Sequence, residues 1–384
     1  MKRILAILIV AMVILISCGK KDGFEKKVVN GITQYINTDI PSDPSATLDL
    51  KKLYTISTED QSDSTAFFKR PIALTVDKNE NLFVLDLLSM SVKKFDSNGK
   101  FVKSISRQGR GPGELFYPSV MFIDNDTLNV MSIASSKISK FDLDGNFYKD
   151  VTIDQMQLQN PKMSPNGQRM VTFLSKPVDK GEGQQPDLEF SLVMINRDSM
   201  KVNATLNSTV ISPQDIMAGK MDFNDLMIPF APGNDKIYVS ENSDAQYRIF
   251  CYDYDGVKKS EIRKSFKKVR YGKVEKGEYK EEMKKMAQGI KNIKVSNFKK
   301  AINDIFTDKY GRVLVIPSID RKLDSLGVYI DIFKDGKFLN RVDYNVIDKG
   351  SSGILSMMKK AQFFIKDKLY VMSMEDLTID VYDY

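Results

Sequence analysis

An all-β fold, a six-bladed β-propeller of four-stranded antiparallel blades, is the class this sequence predicts. Three observations carry the prediction. Short apolar strands flank a polar turn six times along the chain. Most of these hairpins precede a second alternating hairpin whose tip is rich in Asp, Asn and Gly, residues that supply the positive φ of tight turns. The sixth unit stops at Tyr384, one strand short of the others.

The chain opens with "MKRILAILIVAMVILISC". Lys2 and Arg3 precede an uncharged apolar run, Ile4 to Ile16, of 13 residues. That is shorter than the roughly 20 residues a membrane-spanning helix needs and has the form of an export signal. The run ends in "LISC", which resembles the lipobox of bacterial lipoproteins, so lipidation is expected at Cys18 after removal of residues 1–17. An ordinary secretory signal or an uncleaved anchor are the alternatives. Residues 18–47, with "GKKDGFEKK" and "PSDPSAT", lack a strand or helix period and read as a tether.

The first hairpins are "VDKNENLFVLD" (76–86), "IDNDTLNVM" (123–131), "MSPNGQRMVTF" (163–173), "PGNDKIYVS" (232–240), "FTDKYGRVLVI" (306–316) and "IKDKLYVM" (365–372). Second hairpins follow at 92–105, 138–151, 192–206, 247–262 and 328–342. Leu82 and Leu128, Phe95 and Phe141, and Gly99 and Gly145 are each 46 residues apart, so the first two units superpose. Two hairpins make four strands, and repetition of such units reads as propeller blades within the domain 48–384. The missing strand of the sixth blade is expected upstream, in "LKKLYTIS". Tyr54 precedes Pro71 by 17 residues, as Phe101 precedes Pro118. Lys51 to Ser57 should therefore close the ring.

"GRGPGELFYP" suggests a phosphate loop, but it has neither GK[ST] after its spacer nor GxGxxG opening a helix, and a strand follows it. It reads as a blade-to-blade connector. With "RPIALTVDKNENLFVLD" before it, this stretch resembles NHL-type repeats and, with the lipobox, the six-bladed β-propeller lipoproteins of Bacteroidetes. The resemblance covers 67–153 well and implies fold and envelope location. It supplies no catalytic residue.

Two insertions interrupt the repeat. Residues 212–233 contain three prolines and read as a loop packed over one face. Residues 264–300 contain a helix over about 275–292, with an apolar stripe of Tyr279, Met283, Met286, Ala287, Ile290 and Ile293. Glu281 lies four before Lys285. Residues 258–300 hold 16 Lys or Arg against 5 Asp or Glu, so the net charge of +7 is concentrated there. Docking of the stripe on the propeller, or contact with an anionic lipid surface, would both fit.

Histidine is absent, which excludes the Ser-His-Asp triad and His-ligated metals. Only Cys18 and Cys251 are present, so no disulfide framework forms once Cys18 is acylated. No catalytic or metal-ligating set emerges. Arg70, Arg107 and Arg110, in equivalent connectors, would make one rim basic. Asp86, Glu241 and Asn242 stand where they could face the axial channel. The expected role is binding of a protein or glycan partner at the cell envelope, on the outer membrane, by a monomer with no nucleic-acid ligand and no cofactor. The alternative is a hydrolase or lyase with an acidic channel site holding Ca²⁺, whose oxygen preference suits carboxylates.

Overall fold

A computed structural model describes residues 23–57, 63–152, 157–164, 169–181, 185–196, 200–286, 293–320, 328–346 and 359–384. The export signal and Cys18 lie outside the described residues. Within them no helix is long and apolar enough to cross a membrane.

The strands form six sheets. The amino-terminal strands are β1 (Phe24–Val29), β2 (Ile32–Asn37) and β3 (Lys51–Ser57). Blade 1 is β4–β7 (Pro71–Val76, Leu82–Asp86, Ser91–Phe95, Phe101–Ile105). Blade 2 is β8–β11 (Pro118–Asp124, Thr127–Ser132, Lys137–Asp142, Phe147–Thr152). Blade 3 is β12–β15 (Gln157–Met163, Arg169–Val178, Asp187–Asn196, Lys201–Ile211). Helix α1 (Pro213–Met217) leads to blade 4, β16–β19 (Phe230–Pro232, Ile237–Ser240, Tyr247–Tyr252, Lys258–Lys264). Helix α2 (Lys273–Met286) leads to blade 5, β20–β23 (Ile302–Thr307, Val313–Pro317, Tyr329–Lys334, Lys337–Asp343). Blade 6 has β24–β26 (Lys360–Ile365, Lys368–Ser373, Thr378–Asp383), and β3 is its fourth strand.

The expected closure is present. β3 pairs antiparallel with β26, from Thr378↔Ser57 to Asp383↔Lys51. Thr55 Oγ1 donates to Asp380 Oδ1 at 2.7 Å, and Lys52 Nζ lies 2.7 Å from the same carboxylate.

Strand periodicity explains the ring. Successive side chains of one strand point to opposite sheet faces, so a central blade strand buries both sets. Leu82 and Val84 of β5 join Ile56, Met372 and Val381 in a core shared with blade 6. Phe83 and Leu85, between them, join Met121, Leu128 and Phe141 of blade 2. Four further cores fill the remaining blade interfaces in the same way. The tips of the outer hairpins reach back to the preceding blade. Gly99 has φ +81°, and a Cβ there would stand 2.8 Å from the Tyr54 ring of blade 6. Gly145 has φ +84° and meets Ile105 of blade 1 at 2.7 Å. Glycine is needed in both places for backbone conformation and for closeness.

The expectation of a tether over 18–47 is corrected within its described residues. β1 and β2 form a hairpin, and β2 adds in parallel to β19, from Ser260↔Thr33 to Lys264↔Asn37. Blade 4 thereby becomes six-stranded. Buried Asn37 donates to Arg263 O and Gly336 O, both at 3.0 Å, and accepts from Phe338 N at 2.8 Å. Onward, Ser42 N and Asp43 N donate to Phe338 O and Leu339 O at 3.1 Å, strapping the chain to blade 5. Backbone pairing to a free sheet edge does not require apolar alternation, so periodicity does not register it.

Deleting residues 48–57 is expected to abolish the single cooperative unfolding transition, read by circular dichroism against denaturant. A truncated protein that melted as one unit at the full-length midpoint would refute closure by β3.

Candidate functional site

The first strand of each blade faces the axis, and together these strands enclose a cavity of about 1880 Å³. Each inner strand runs from a blade-to-blade connector to its own hairpin turn. One mouth of the channel is therefore framed by connectors and the other by turns.

The connector mouth carries a lid built from the two insertions. Tyr279 and Met283 of α2 pack with Ile293, Val295, Phe223, Met227 and Tyr271 in a small separate core. Buried Glu275 pairs with buried Lys299 at 2.6 Å beneath the helix. Asp222 caps its own turn at Asn224 N (3.0 Å) and accepts from Ser296 N (2.7 Å), which fastens one insertion to the other. Burial, with nearby carboxylates, raises the Tyr271 and Tyr279 phenols above their ordinary value. Ile216, Phe223, Leu226, Met227 and Met283 line the channel from this side. The loop expected over one face by 212–233 is thus a lid. Of the α2 stripe, Tyr279, Met283 and Ile293 pack against the other insertion, and Ala287 and Ile290 lie outside the described residues. Glu281 pairs with Lys284, and Glu282 with Lys285, each at three-residue spacing rather than the expected Glu281–Lys285.

The turn mouth is polar. Lys78 pairs with Asp126 at 2.7 Å, and Lys366 Nζ donates to Asp77 O at 2.7 Å. Asp77 spends its carboxylate on Asn79 N, Asn81 N and Asn81 Nδ2, all within 2.9 Å.

Between the two mouths stands a charged pair that sequence reading missed. Lys162 of β12 and Asp304 of β20 approach to 3.7 Å across the flank of blade 4. Lys162 Nζ donates to Phe230 O at 2.8 Å and lies 4.9 Å and 5.4 Å from the ring centroids of Phe230 and Phe306. Asp304 is buried, and burial pushes its carboxyl above the usual range, with Lys162 pulling partly back. Each residue directly follows a register shift in its inner strand, at Gln159/Lys162 and Ile302/Asp304. Such bulges re-aim side chains. The signal was a lone charge in an inner strand, "QNPKM" and "INDIF", masked in the first by an Asn-Pro pair that reads as a turn.

The residues expected at a rim are scattered. Arg70 is exposed and lines the channel. Arg107 pairs with Glu114 at 3.0 Å, and Arg110 stacks 4.3 Å over Phe116; neither reaches the channel. Asp86 is buried and accepts from Arg70 N (3.1 Å) and Ser89 N (2.8 Å), so it fixes a connector instead of facing the axis. Glu241 pairs with Arg248 at 3.0 Å. Asn242 donates to Asn224 O (2.9 Å) and Asp225 O (3.1 Å), which anchors the lid to blade 4. Buried Cys251, its thiol pushed up to about 12 by burial, is a core residue. No group of three or more metal-ligating side chains occurs among the described residues.

Residues 68–307 match the family model described as 6-bladed beta-propeller, and the chain belongs to that family. Among solved structures it is similar to an exported protein of Bacteroides fragilis, with 13% identity, TM-score 0.49, and coverage of 90% of this chain and 98% of that one. It is also similar to a catalytically inactive virginiamycin B lyase from Staphylococcus aureus crystallised with quinupristin (11% identity, TM-score 0.44, 88% and 99% covered). A third is a luciferin-regenerating enzyme (13% identity, TM-score 0.44, 86% and 94% covered). No curated protein matches the sequence.

Because the folded Asp304 holds its proton above the ordinary 3.8, it contributes stability fully below that pH and loses it as pH rises through the raised value. The stability of the native protein relative to Asp304→Asn should therefore fall over that window, measured by denaturant melts at a series of pH values. A difference that stays flat with pH would remove the claim.

Proposed function

We propose that this propeller is a noncatalytic recognition module, held at the cell envelope by an acylated Cys18, whose lidded channel takes a ligand with an apolar body. The observation that carries this reading is the lid face of the cavity, where Ile216, Phe223, Leu226, Met227 and Met283 line the channel. Unbranched methionines adapt to varied apolar shapes. A volume of about 1880 Å³ exceeds the roughly 300–1,000 Å³ of ordinary small-molecule pockets, so the channel has room for an apolar ligand of that class.

Polar side chains line the inner strands, among them Ser119, Gln159, Asn160 and Gln362, while the lid adds Ile216, Phe223, Leu226, Met227 and Met283, which favour a partner that offers apolar groups. A calcium-dependent hydrolase or lyase would call for carboxylates converging on the axis. The carboxylate nearest the middle of the channel, Asp304, faces a lysine, and Asp86 and Glu241 are committed elsewhere. Tyr279, Met283 and Ile293 of the apolar stripe are spent inside the lid and are not available to an anionic surface.

N-phenyl-1-naphthylamine, a neutral apolar fluorophore, is expected to bind the mature protein saturably with a gain in emission. Leu226→Glu, at the channel face of the lid, should weaken it about tenfold by placing a charge against the ligand. Binding unchanged by Leu226→Glu would reject the channel as the site. Separately, Cys18→Ala should move the protein from the detergent-requiring membrane fraction to the soluble fraction, judged by immunoblot. Retention in the membrane would reject the lipid anchor.

A further inference from the structure

We infer that the ligand is an amphipathic monocarboxylate whose acyl-type tail runs toward the lid and whose head is received by Lys162. This rests on the channel reading above and names the ligand class for that site.

The geometry at Lys162 points to an acceptor that the protein does not itself supply. The bulge before it places Asn160 at φ 50° and puts Pro161, which has no N–H, opposite Thr172. This turns the lysine stem into the cavity. One ammonium hydrogen goes to Phe230 O at 2.8 Å. Asp304 stands at 3.7 Å, well beyond the roughly 2.7–2.9 Å of a closed charge-assisted hydrogen bond. The ammonium therefore keeps a donor for an incoming oxygen. Its side chain is 25% exposed while that of Asp304 is 8% exposed, so the cation is the member of the pair that a ligand can reach. The rings of Phe230 and Phe306 flank the ammonium at 4.9 and 5.4 Å.

Charge limits the head to one negative unit. A single lysine, with a carboxylate close by and no arginine fork among its contacts, suits a monoanion better than a phosphate dianion. Polarity sets the direction. Toward the connectors the lid adds Ile216, Phe223, Leu226, Met227 and Met283 beside the polar Arg70 and Ser119, and the turn mouth carries the Lys78–Asp126 pair. A tail laid against the five apolar side chains of the lid gains about 0.8 kcal/mol per buried methylene.

The test uses decanoate and decan-1-ol as competitors of bound N-phenyl-1-naphthylamine on the mature protein. Decanoate should displace the fluorophore at least tenfold more effectively than the alcohol. Lys162→Met, which keeps the stem length and loses the charge, should erase that preference, with fluorophore binding in the same titration showing that the variant is folded. If the fluorophore itself fails to bind, the channel reading falls and this inference falls with it. If the fluorophore binds but decanoate shows no advantage, or Lys162→Met keeps the advantage, only the carboxylate anchor is overturned. An apolar peptide with a free terminal carboxylate that outcompetes decanoate would overturn the acyl assignment in favour of a protein chain end.

Discussion

One backbone pairing decides whether this chain makes a ring, that of β26 with β3. Each inter-blade core is owned by two blades at once, and the set is circular. The core holding Ile56, Tyr370 and Met372 also holds Leu74, Leu82 and Phe95 of blade 1. Without β3 that interface loses Ile56 and the packing of Tyr54, and β26 is left with a row of unpaired N–H and C=O groups. The loss propagates because blade 1 rests on blade 6 through the same strand, with Tyr54 Oη donating to Ser97 O at 2.9 Å and its ring lying against Gly99. Closure is thus more than a sheet edge satisfied. It is the contact by which the first blade acquires its neighbour.

The parts of the fold that sequence revealed are those in which local chemistry and global packing ask for the same residue. Gly99 and Gly145 had to be glycine for their turns and again for their neighbours, so the 46-residue spacing was legible. Asp96 and Asp142 hold those turns by accepting backbone N–H groups at their tips. Lys51–Ser57 was legible because its alternation matched a known vacancy. The hairpin of β1 and β2 was not. Its anchoring lies in Asn37, Tyr35 and the parallel pairing to β19, which are single contacts without a period. Asp86, Glu241 and Asn242 were located at the right strand ends, but a strand end does not tell whether a carboxylate turns inward or caps the adjacent backbone.

The asymmetry of the two mouths follows from the repeat. All inner strands begin at connectors, so any lengthening of connectors accumulates on one face, and here two successive connectors are long. They flank blade 4, whose inner strand Phe230–Pro232 has three residues and cannot wall its share of the axis alone. The insertions build a core of their own and lean over the gap. Asn242, on the blade they straddle, ties them down through two backbone carbonyls. A rigid ring thereby carries a semi-independent cap, an arrangement in which access to the channel can be governed without disturbing the six cores.

The charged pair within the channel is not explained by the fold. Blades 1 and 2 carry the same kind of inner-strand bulge, and the residues directly after it are Ala73 and Val120. The architecture therefore accepts an apolar residue there. Burying an ammonium and a carboxylate costs several kcal/mol per ion before their attraction repays it, and at 3.7 Å the repayment is incomplete. The burden falls on Asp304, whose ionised form is disfavoured by its surroundings. On the proposal above, a ligand anion at Lys162 would give the cation a closer counter-charge than Asp304 supplies at 3.7 Å. Since apolar residues hold the equivalent places in blades 1 and 2, the proposed recognition of an anionic head gives this pair a role that the ring alone does not.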